Sequence, residues 1–186
     1  MVLVKLLVVV DAQNDFIWGV LGSDVAQLIL PNICDEIKNF EGEIIFTQDT
    51  HFENDYFQTQ EGKKLPIIHC VKHSNGWQID NNVLNAWFEH SELYPTILEK
   101  YSFGEYDWAS YLTSIFINKG LDLNELEEIE LIGYCTDICV ISNAMILKAL
   151  FPDVVIKVKE NCCAGSTMEL HSKAIDVMRS CQIEVI

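Results

Sequence analysis

The segment Leu3-Val-Lys-Leu-Leu-Val-Val-Val10, followed directly by Asp11, indicates the fold class of this sequence. Its near-continuous apolar character is typical of a strand that is covered on both faces, as in a parallel sheet. Lys5 in its middle, and the lack of a small-residue cleavage site, argue against a signal peptide. We therefore expect a buried strand that ends at a carboxylate.

Short apolar runs of the same kind alternate with helical patterns along the chain. Strands are predicted at Leu3–Val10, Glu43–Thr47, Thr96–Glu99, Ile129–Gly133, Val154–Val158 and Ile183–Ile186. Helices are predicted at Ser23–Asn39, Tyr106–Asn118, Ile138–Leu150 and Ser166–Ser180. Pro31 is expected to kink the first helix. The alternation predicts one α/β domain over residues 1–186 with a mostly parallel sheet, and the long polar segment Thr50–Gln78 is typical of a functional loop.

The composition excludes several classes of protein. The 186 residues carry a net charge of −16 with only 12 Lys and Arg, so we expect no nucleic-acid partner. No apolar run approaches the roughly 20 residues of a membrane-spanning helix, so we expect no membrane partner. The seven cysteines are odd in number and form no CxxC pair, which indicates free thiols and a cytoplasmic location.

Reactive side chains follow the predicted strands. Asp11 follows the first strand, Asp49-Thr-His51 the second, Lys100 the third and Gly133–Cys139 the fourth. Ligands of open α/β sheets bind at the carboxyl ends of the strands, so these side chains are expected to converge on one rim. This convergence predicts an enzyme.

Cys139 is the candidate nucleophile because it lies in the first turn of a predicted helix, with Thr136 or Asp137 as its cap. The partial positive charge of a helix N-terminus lowers the pKa of a thiol and favours the thiolate. Asp11 is the candidate proton carrier, and Lys100 is expected to pair with it. The alternatives are a buried structural cysteine, an ordinary surface lysine and a Cys–His pair.

A metal site is predicted from Asp49, His51 and His69, with Glu61 in the loop between the histidines. A carboxylate and two imidazoles with open positions suit zinc or a similar divalent ion. The alternative is that these are solvated turn residues.

Five motifs in order along nearly the whole chain resemble the nicotinamidase/isochorismatase-like cysteine hydrolases. They are Val8–Phe16 (VVVDAQNDF), Asp49–His51, Leu65–Cys70 (LPIIHC), Glu99-Lys100 and Gly133–Val140 (GYCTDICV). The resemblance implies a doubly wound, Rossmann-like, mostly parallel six-stranded sheet flanked by helices. It also implies a catalytic triad of Asp11, Lys100 and Cys139 that hydrolyses an amide through a thioester.

The same resemblance implies further site residues. The oxyanion hole is expected from the backbone N–H groups of Cys135 and Cys139, with a cis peptide bond at Tyr134–Cys135. One divalent ion, zinc with manganese or iron as alternatives, is expected on four side chains: Asp49, His51, Glu61 and His69. This metal set favours a nicotinamidase that acts on a small-molecule amide, and a homo-oligomer is expected.

Two positions depart from the nicotinamidase pattern. Pro66 stands where many of those enzymes carry an aromatic residue, so the substrate ring is expected to stack on Phe16, Trp77 or Phe103. Phe57 stands at the usual position of a fourth ligand, which leaves that role to Glu61. The alternatives are a cysteine hydrolase of another small amide, a ureido acid or a carbamate, an isochorismatase, and a binding module without catalysis.

Overall fold

Six parallel strands form one sheet in the computed structural model, which describes residues 4–186. They are β1 Val4–Val10, β2 Glu43–Asp49, β3 Thr96–Lys100, β4 Leu126–Tyr134, β5 Val155–Ala164 and β6 Glu184–Val185. Each coincides with a predicted strand; the predicted start at Leu3 lies outside the described residues. β5 extends beyond the predicted end at Val158 as far as Ala164, because Cys163 and Ala164 keep pairing with the end of β4.

The strand order is β3-β2-β1-β4-β5-β6, and every pair is parallel. The chain winds outward from β1 in one direction and then from β4 in the other. The predicted doubly wound sheet is therefore confirmed, and it is parallel throughout. The order reverses between β1 and β4, which is where sheets of this kind open a crevice for ligands.

Helices cover both faces of the sheet. They are α1 Asn14–Ile17, α2 Asp24–Asn39, α3 Gln60–Lys64, α4 Asn81–His90, α5 Trp108–Lys119, α6 Ile141–Leu150 and α7 Met168–Ser180. Leu7 and Val9 of β1 pack with α2 and α4, whereas Leu6 and Val8 pack with α5, α6 and α7. Burial on both faces explains the near-continuous apolar strands. Among the helices within residues 4–186, none combines the length and hydropathy needed to cross a membrane.

Helix α2 follows the sequence prediction, whereas helix α4 does not. Ser23 caps α2 as expected, with its hydroxyl accepting the Ala26 N–H at 3.1 Å, and the helix continues through Pro31 to Asn39. Helix α4 was not predicted. Its buried face consists of Val83, Ala86 and Trp87 at helical spacing, and Asp80 caps its first turn. This signal is present in the sequence.

Candidate active site and metal centre

Asp11, Lys100 and Cys139 meet in the crevice at the carboxyl end of the sheet. Lys100 Nζ lies 2.8 Å from Asp11 Oδ2 and 3.6 Å from Cys139 Sγ. Asp11 and Lys100 are fully buried, and Cys139 is 4% exposed. The structure thus brings together three residues that the sequence places at the ends of β1 and β3 and after β4.

The charges of this cluster depend on one another. Burial disfavours the Lys100 ammonium, but Asp11, Cys139 and Asp49 outweigh burial and hold its pKa well above the ordinary value. Burial raises the pKa of the Asp11 carboxyl, and the nearby Asp49 carboxylate adds to this effect against the opposing Lys100 charge. A carboxylate with a raised pKa accepts a proton more readily, which suits Asp11 to proton transfer.

The Cys139 thiol does not have the lowered pKa that its position in the sequence predicts. Burial raises its pKa well above the ordinary value and outweighs the attraction of Lys100, and the nearby Asp11 carboxylate raises it further. The prediction of a thiol poised as thiolate by a helix N-terminus is therefore wrong. The resting thiol keeps its proton, so a reaction with Cys139 as nucleophile would require a base to remove that proton.

Thr47 holds the Asp11 carboxylate and Gln13 holds the backbone of Asp49, and neither residue was predicted. The Thr47 hydroxyl donates to Asp11 Oδ1 at 2.7 Å and accepts the Asp11 N–H at 3.2 Å. The Gln13 side chain accepts the Asp49 N–H at 2.8 Å and donates to the Asp49 carbonyl at 2.9 Å. Both side chains are fully buried, and a polar residue inside the apolar run of β2 is the signal for Thr47.

Cys139 lies in a π-helical turn at Thr136–Val140, which precedes α6. The expected side-chain cap is absent, because Thr136 and Asp137 have other partners. Thr136 Oγ1 pairs with His171 Nδ1 at 2.9 Å, and the Asp137 carboxylate accepts the backbone N–H and the hydroxyl of Ser166. π-Helical turns are rare and are frequent at functional sites.

The backbone before this turn also differs from expectation. The described residues contain no cis peptide bond, so the prediction of one at Tyr134–Cys135 is wrong. Cys135 instead adopts a left-handed conformation with φ +57° and ψ +62°. Its side chain and that of Cys139 line the same cavity.

The predicted metal ligands converge beside the triad. Asp49, His51 and His69 each offer a ligand atom within 4.8 Å of the others. Glu61 Oε1 lies 3.7 Å from His51 Nε2 and 3.5 Å from His69 Nε2. His69 Nδ1 lies 2.9 Å from the Ile67 carbonyl, so donation there leaves Nε2 as the free lone pair. Two imidazoles and two carboxylates facing one point fit a divalent cation such as zinc, manganese or iron.

Asp49 connects the two clusters. Its Oδ1 lies 2.9 Å from Lys100 Nζ, and its Oδ2 lies 3.0 Å from His51 Nε2 and 3.5 Å from His69 Nε2. Burial opposes ionisation of Asp49, but Lys100 and the two histidines outweigh burial and hold the pKa of this carboxyl well below its usual value.

A cavity of about 820 Å³ opens onto both clusters. Phe16 and Phe103 line it, as expected of residues that contact the substrate, but Trp77 is not part of its lining. The Trp77 indole N–H donates to the Thr50 hydroxyl at 2.9 Å, and its carbonyl accepts the Gln13 and Gln48 side-chain amides. Trp77 therefore fastens the long loop to the sheet, and its expected contact with the substrate is not supported.

Several solved structures share this fold over nearly their whole length. The nicotinamidase/pyrazinamidase PncA of Bacillus subtilis is 21% identical with a TM-score of 0.75, covering 98% of this chain and 99% of that one. The zinc complex of the Pyrococcus horikoshii pyrazinamidase is 21% identical with a TM-score of 0.71, covering 98% of each chain. N-carbamoylsarcosine amidase of Thermoplasma acidophilum is 21% identical with a TM-score of 0.69, covering 98% and 95%.

The sequence matches no curated protein. Residues 5–186, however, match the family model described as the isochorismatase domain, which spans β1 to the end of the chain and includes every side chain of the two clusters. The chain therefore belongs to the isochorismatase family of hydrolases.

Proposed function

We propose that this protein hydrolyses a small primary carboxamide through a thioester on Cys139, with nicotinamide as the first substrate to test. The observation that carries the proposal is the contact of one buried ammonium, Lys100 Nζ, with both Asp11 and Cys139 at the wall of the cavity. This arrangement places a proton acceptor and a nucleophile on either side of a fixed positive charge.

In the proposed reaction, Cys139 Sγ attacks the carbonyl carbon of the amide while Asp11 takes the thiol proton. Lys100 stabilises the negative charge as it shifts from Asp11 to the sulfur. The backbone N–H groups of Cys135 and Cys139 are the proposed donors to the oxyanion. Asp11 then passes its proton to the departing ammonia. Water, activated in turn by Asp11, hydrolyses the thioester.

Asp49, His51, Glu61 and His69 are the proposed ligands of one divalent cation, with zinc as the first choice and manganese or iron as alternatives. Such a cation would supply a Lewis-acidic anchor for a ring nitrogen of the substrate. The zinc complex of the Pyrococcus horikoshii pyrazinamidase supports this choice of metal.

The test is ammonia release from nicotinamide by the wild type, by Cys139→Ala and by Cys181→Ala as the matched control. Cys181 lies at the end of α7 and is not part of the cavity lining. We expect Cys139→Ala to abolish ammonia release and Cys181→Ala to retain it. Equal rates in the two variants would refute the nucleophile.

The metal is tested by elemental analysis of purified wild type and His51→Ala. We expect about one equivalent of metal in the wild type, a clear loss in the variant, and a loss of activity after chelation that added zinc restores. Full activity in metal-free protein would refute the proposed ligands.

A second candidate keeps the nucleophile and changes the substrate to another small amide, a ureido acid or a carbamate. Pro66 favours it, because this exposed residue is not part of the cavity lining and offers no ring for stacking. The similarity to N-carbamoylsarcosine amidase also supports it. Side-by-side rates on nicotinamide, N-carbamoyl amino acids and simple carbamates decide between the two, and a clear preference for nicotinamide would exclude this candidate.

A further inference from the structure

The cavity continues beyond the proposed metal ligands to helix α3. Glu61 and Lys64, three residues apart on this helix, both line the cavity, whereas the adjacent Lys63 does not. Residues at this spacing lie on the same side of a helix. Lys64 therefore borders the same part of the cavity as Glu61, at the α3 end of the lining.

Lys64 is a cation without a partner. Within residues 4–186 its ammonium makes no salt bridge and no hydrogen bond, and it is the only lysine or arginine among the described residues of the cavity lining. Several other lysines of this acidic chain pair with carboxylates, as Lys72 does with Glu99 and Lys157 with Glu128. Lys5, Lys63 and Lys148 form no salt bridge within the described residues either, but they do not line this cavity. Lys64 is exposed to solvent and is the cation that the cavity offers to a ligand.

Helix α3 is held firmly at both ends. The Thr59 hydroxyl accepts the Gly62 N–H at 2.9 Å at its start, and the buried Tyr56 hydroxyl donates to the Leu65 carbonyl at 2.8 Å just after its end. A Cβ at Gly62 would lie 2.1 Å from the Tyr56 carbonyl oxygen, so the helix packs against backbone. The Lys64 side chain therefore starts from a defined place on the cavity wall.

We propose that the preferred substrates are primary amides with a carboxylate at the end remote from the amide, and that Lys64 pairs with this carboxylate. The proposal rests on the amide hydrolysis proposed above and adds the charge of the substrate. The cavity of about 820 Å³ lies near the upper end of the range of about 300–1,000 Å³ for small-molecule sites, so it admits more than a single ring with a carboxamide.

A charge pair that remains partly solvated is worth only a few-fold in affinity. We therefore compare two substrates of one framework, 3-carbamoylbenzoate and its uncharged methyl ester. In Lys64→Ala we expect KM for the acid to rise about 5-fold with little change in kcat, and KM for the ester to stay the same. Lys63→Ala is the matched control and should change neither, while Lys64→Arg should keep the low KM for the acid. An equal change for acid and ester, or no change for either, would overturn the proposal.

A binding measurement keeps this test independent of turnover. Calorimetric titration of 3-carbamoylbenzoate into Cys139→Ala and into Cys139→Ala/Lys64→Ala should show about 5-fold weaker binding to the second protein. If the first protein binds the acid more tightly than the ester and the second does not, Lys64 recognises the anion even where neither amide is hydrolysed. In that case only the proposed hydrolysis fails. Equal binding of the acid by both proteins would refute the role of Lys64.

Discussion

At the scale of single residues, Thr47 shows how one hydroxyl orients the Asp11 carboxylate, the proposed proton carrier. It contacts the Asp11 carboxylate through Oδ1, which leaves Oδ2 for Lys100 and the side of the thiol. The backbone of Asp11 has a φ of +50°, which is unusual for a residue other than glycine. The carboxylate is therefore held in one orientation by a side chain from the neighbouring strand.

Replacing Thr47 by the nearly isosteric valine tests this role. The hydrogen bond to Asp11 favours the ionised carboxylate, so its loss should raise the pKa of Asp11 further and move the acid limb of the pH–rate profile to higher pH. Hydrogen bonds to charged groups contribute about 1.5–3 kcal/mol, so we expect kcat/KM at neutral pH to fall about 10-fold or more.

The control for Thr47→Val is Thr113→Val, because the Thr113 hydroxyl is on the exposed side of α5 and, among residues 4–186, bonds only the Ala109 carbonyl. Its pH–rate profile should match that of the wild type. An acid limb that stays in place in Thr47→Val would contradict the assignment of Thr47 to the orientation of Asp11.

At the scale of secondary structure elements, the π-helical turn depends on contacts with the start of α7. His171 on that helix holds the buried Thr136 hydroxyl, and Ser166 just before it holds Asp137. Gly165 packs between His171 and Asp137, where a Cβ would come within 2.8 Å of an Asp137 oxygen. The conformation of the turn that carries Cys139 thus depends on contacts with Ser166 and His171 as well as on its own sequence.

Replacing His171 by alanine should therefore lower kcat about 10-fold with a small change in KM, because a poorly placed turn misaligns the attacking sulfur more than it weakens substrate binding. His171→Asn, which can still bond Thr136, should recover part of the loss. Ser172→Ala is the control, since its hydroxyl bonds the Met168 carbonyl of the same helix and no other group in the described part of the chain. A parallel rise in KM with unchanged kcat would instead assign His171 to substrate binding.

The contrast between strands and turn explains what the sequence can predict. The near-continuous apolar residues of β1 predict burial on both faces. The convergence of Asp11, Lys100 and Cys139 then follows from the topology of a parallel sheet. The π-helical turn is not readable in this way, because Thr136 and Asp137 find partners about 30 residues away in sequence. The same holds for the pKa of the Cys139 thiol, which depends on burial that only the assembled fold creates.

The direction in which a side chain points is a second feature that the sequence does not predict. Trp77 has the chemistry of a stacking residue, and its bond to the Thr50 hydroxyl turns it towards the loop instead. Phe16, predicted on the same grounds, does face the cavity. Helix α4 is a different kind of omission, because its apolar spacing and its cap at Asp80 are both visible in the sequence.

At the scale of the whole molecule, Glu130 couples stability to pH. It lies buried on β4, and its Oε1 has no hydrogen-bond partner among the described residues. Burial, with Glu36 nearby, raises the pKa of its carboxyl to about 7. A folded-state pKa above the unfolded one favours the protonated form in the fold, so this residue lowers stability progressively as pH rises from about 4.5 to about 7.

Glu130→Gln should therefore be more stable than the wild type at pH 8 and nearly equal to it at pH 5. One pKa unit corresponds to about 1.4 kcal/mol, so the stability difference between the two proteins should change by about 2–3 kcal/mol between pH 5 and pH 8. Urea unfolding at the two pH values measures it, with Glu127→Gln, an exposed position on the same strand, as the control. A stability difference that is the same at both pH values would show that Glu130 is not responsible.

Because Asp49 turns one oxygen to Lys100 and the other to the two imidazoles, a substitution at Asp49 would change both the proposed ion site and the charges around the Cys139 thiol. An engineer who replaces Asp49 to favour a different ion also takes a counter-charge from the lysine beside the sulfur. A substitution at Glu61 would affect mainly the proposed ion site, since its carboxylate contacts the imidazoles and makes no ion pair with Lys100 within the described residues. Substitutions meant to change the proposed ion site and to leave the charges beside Cys139 unaltered should therefore begin at Glu61 on α3.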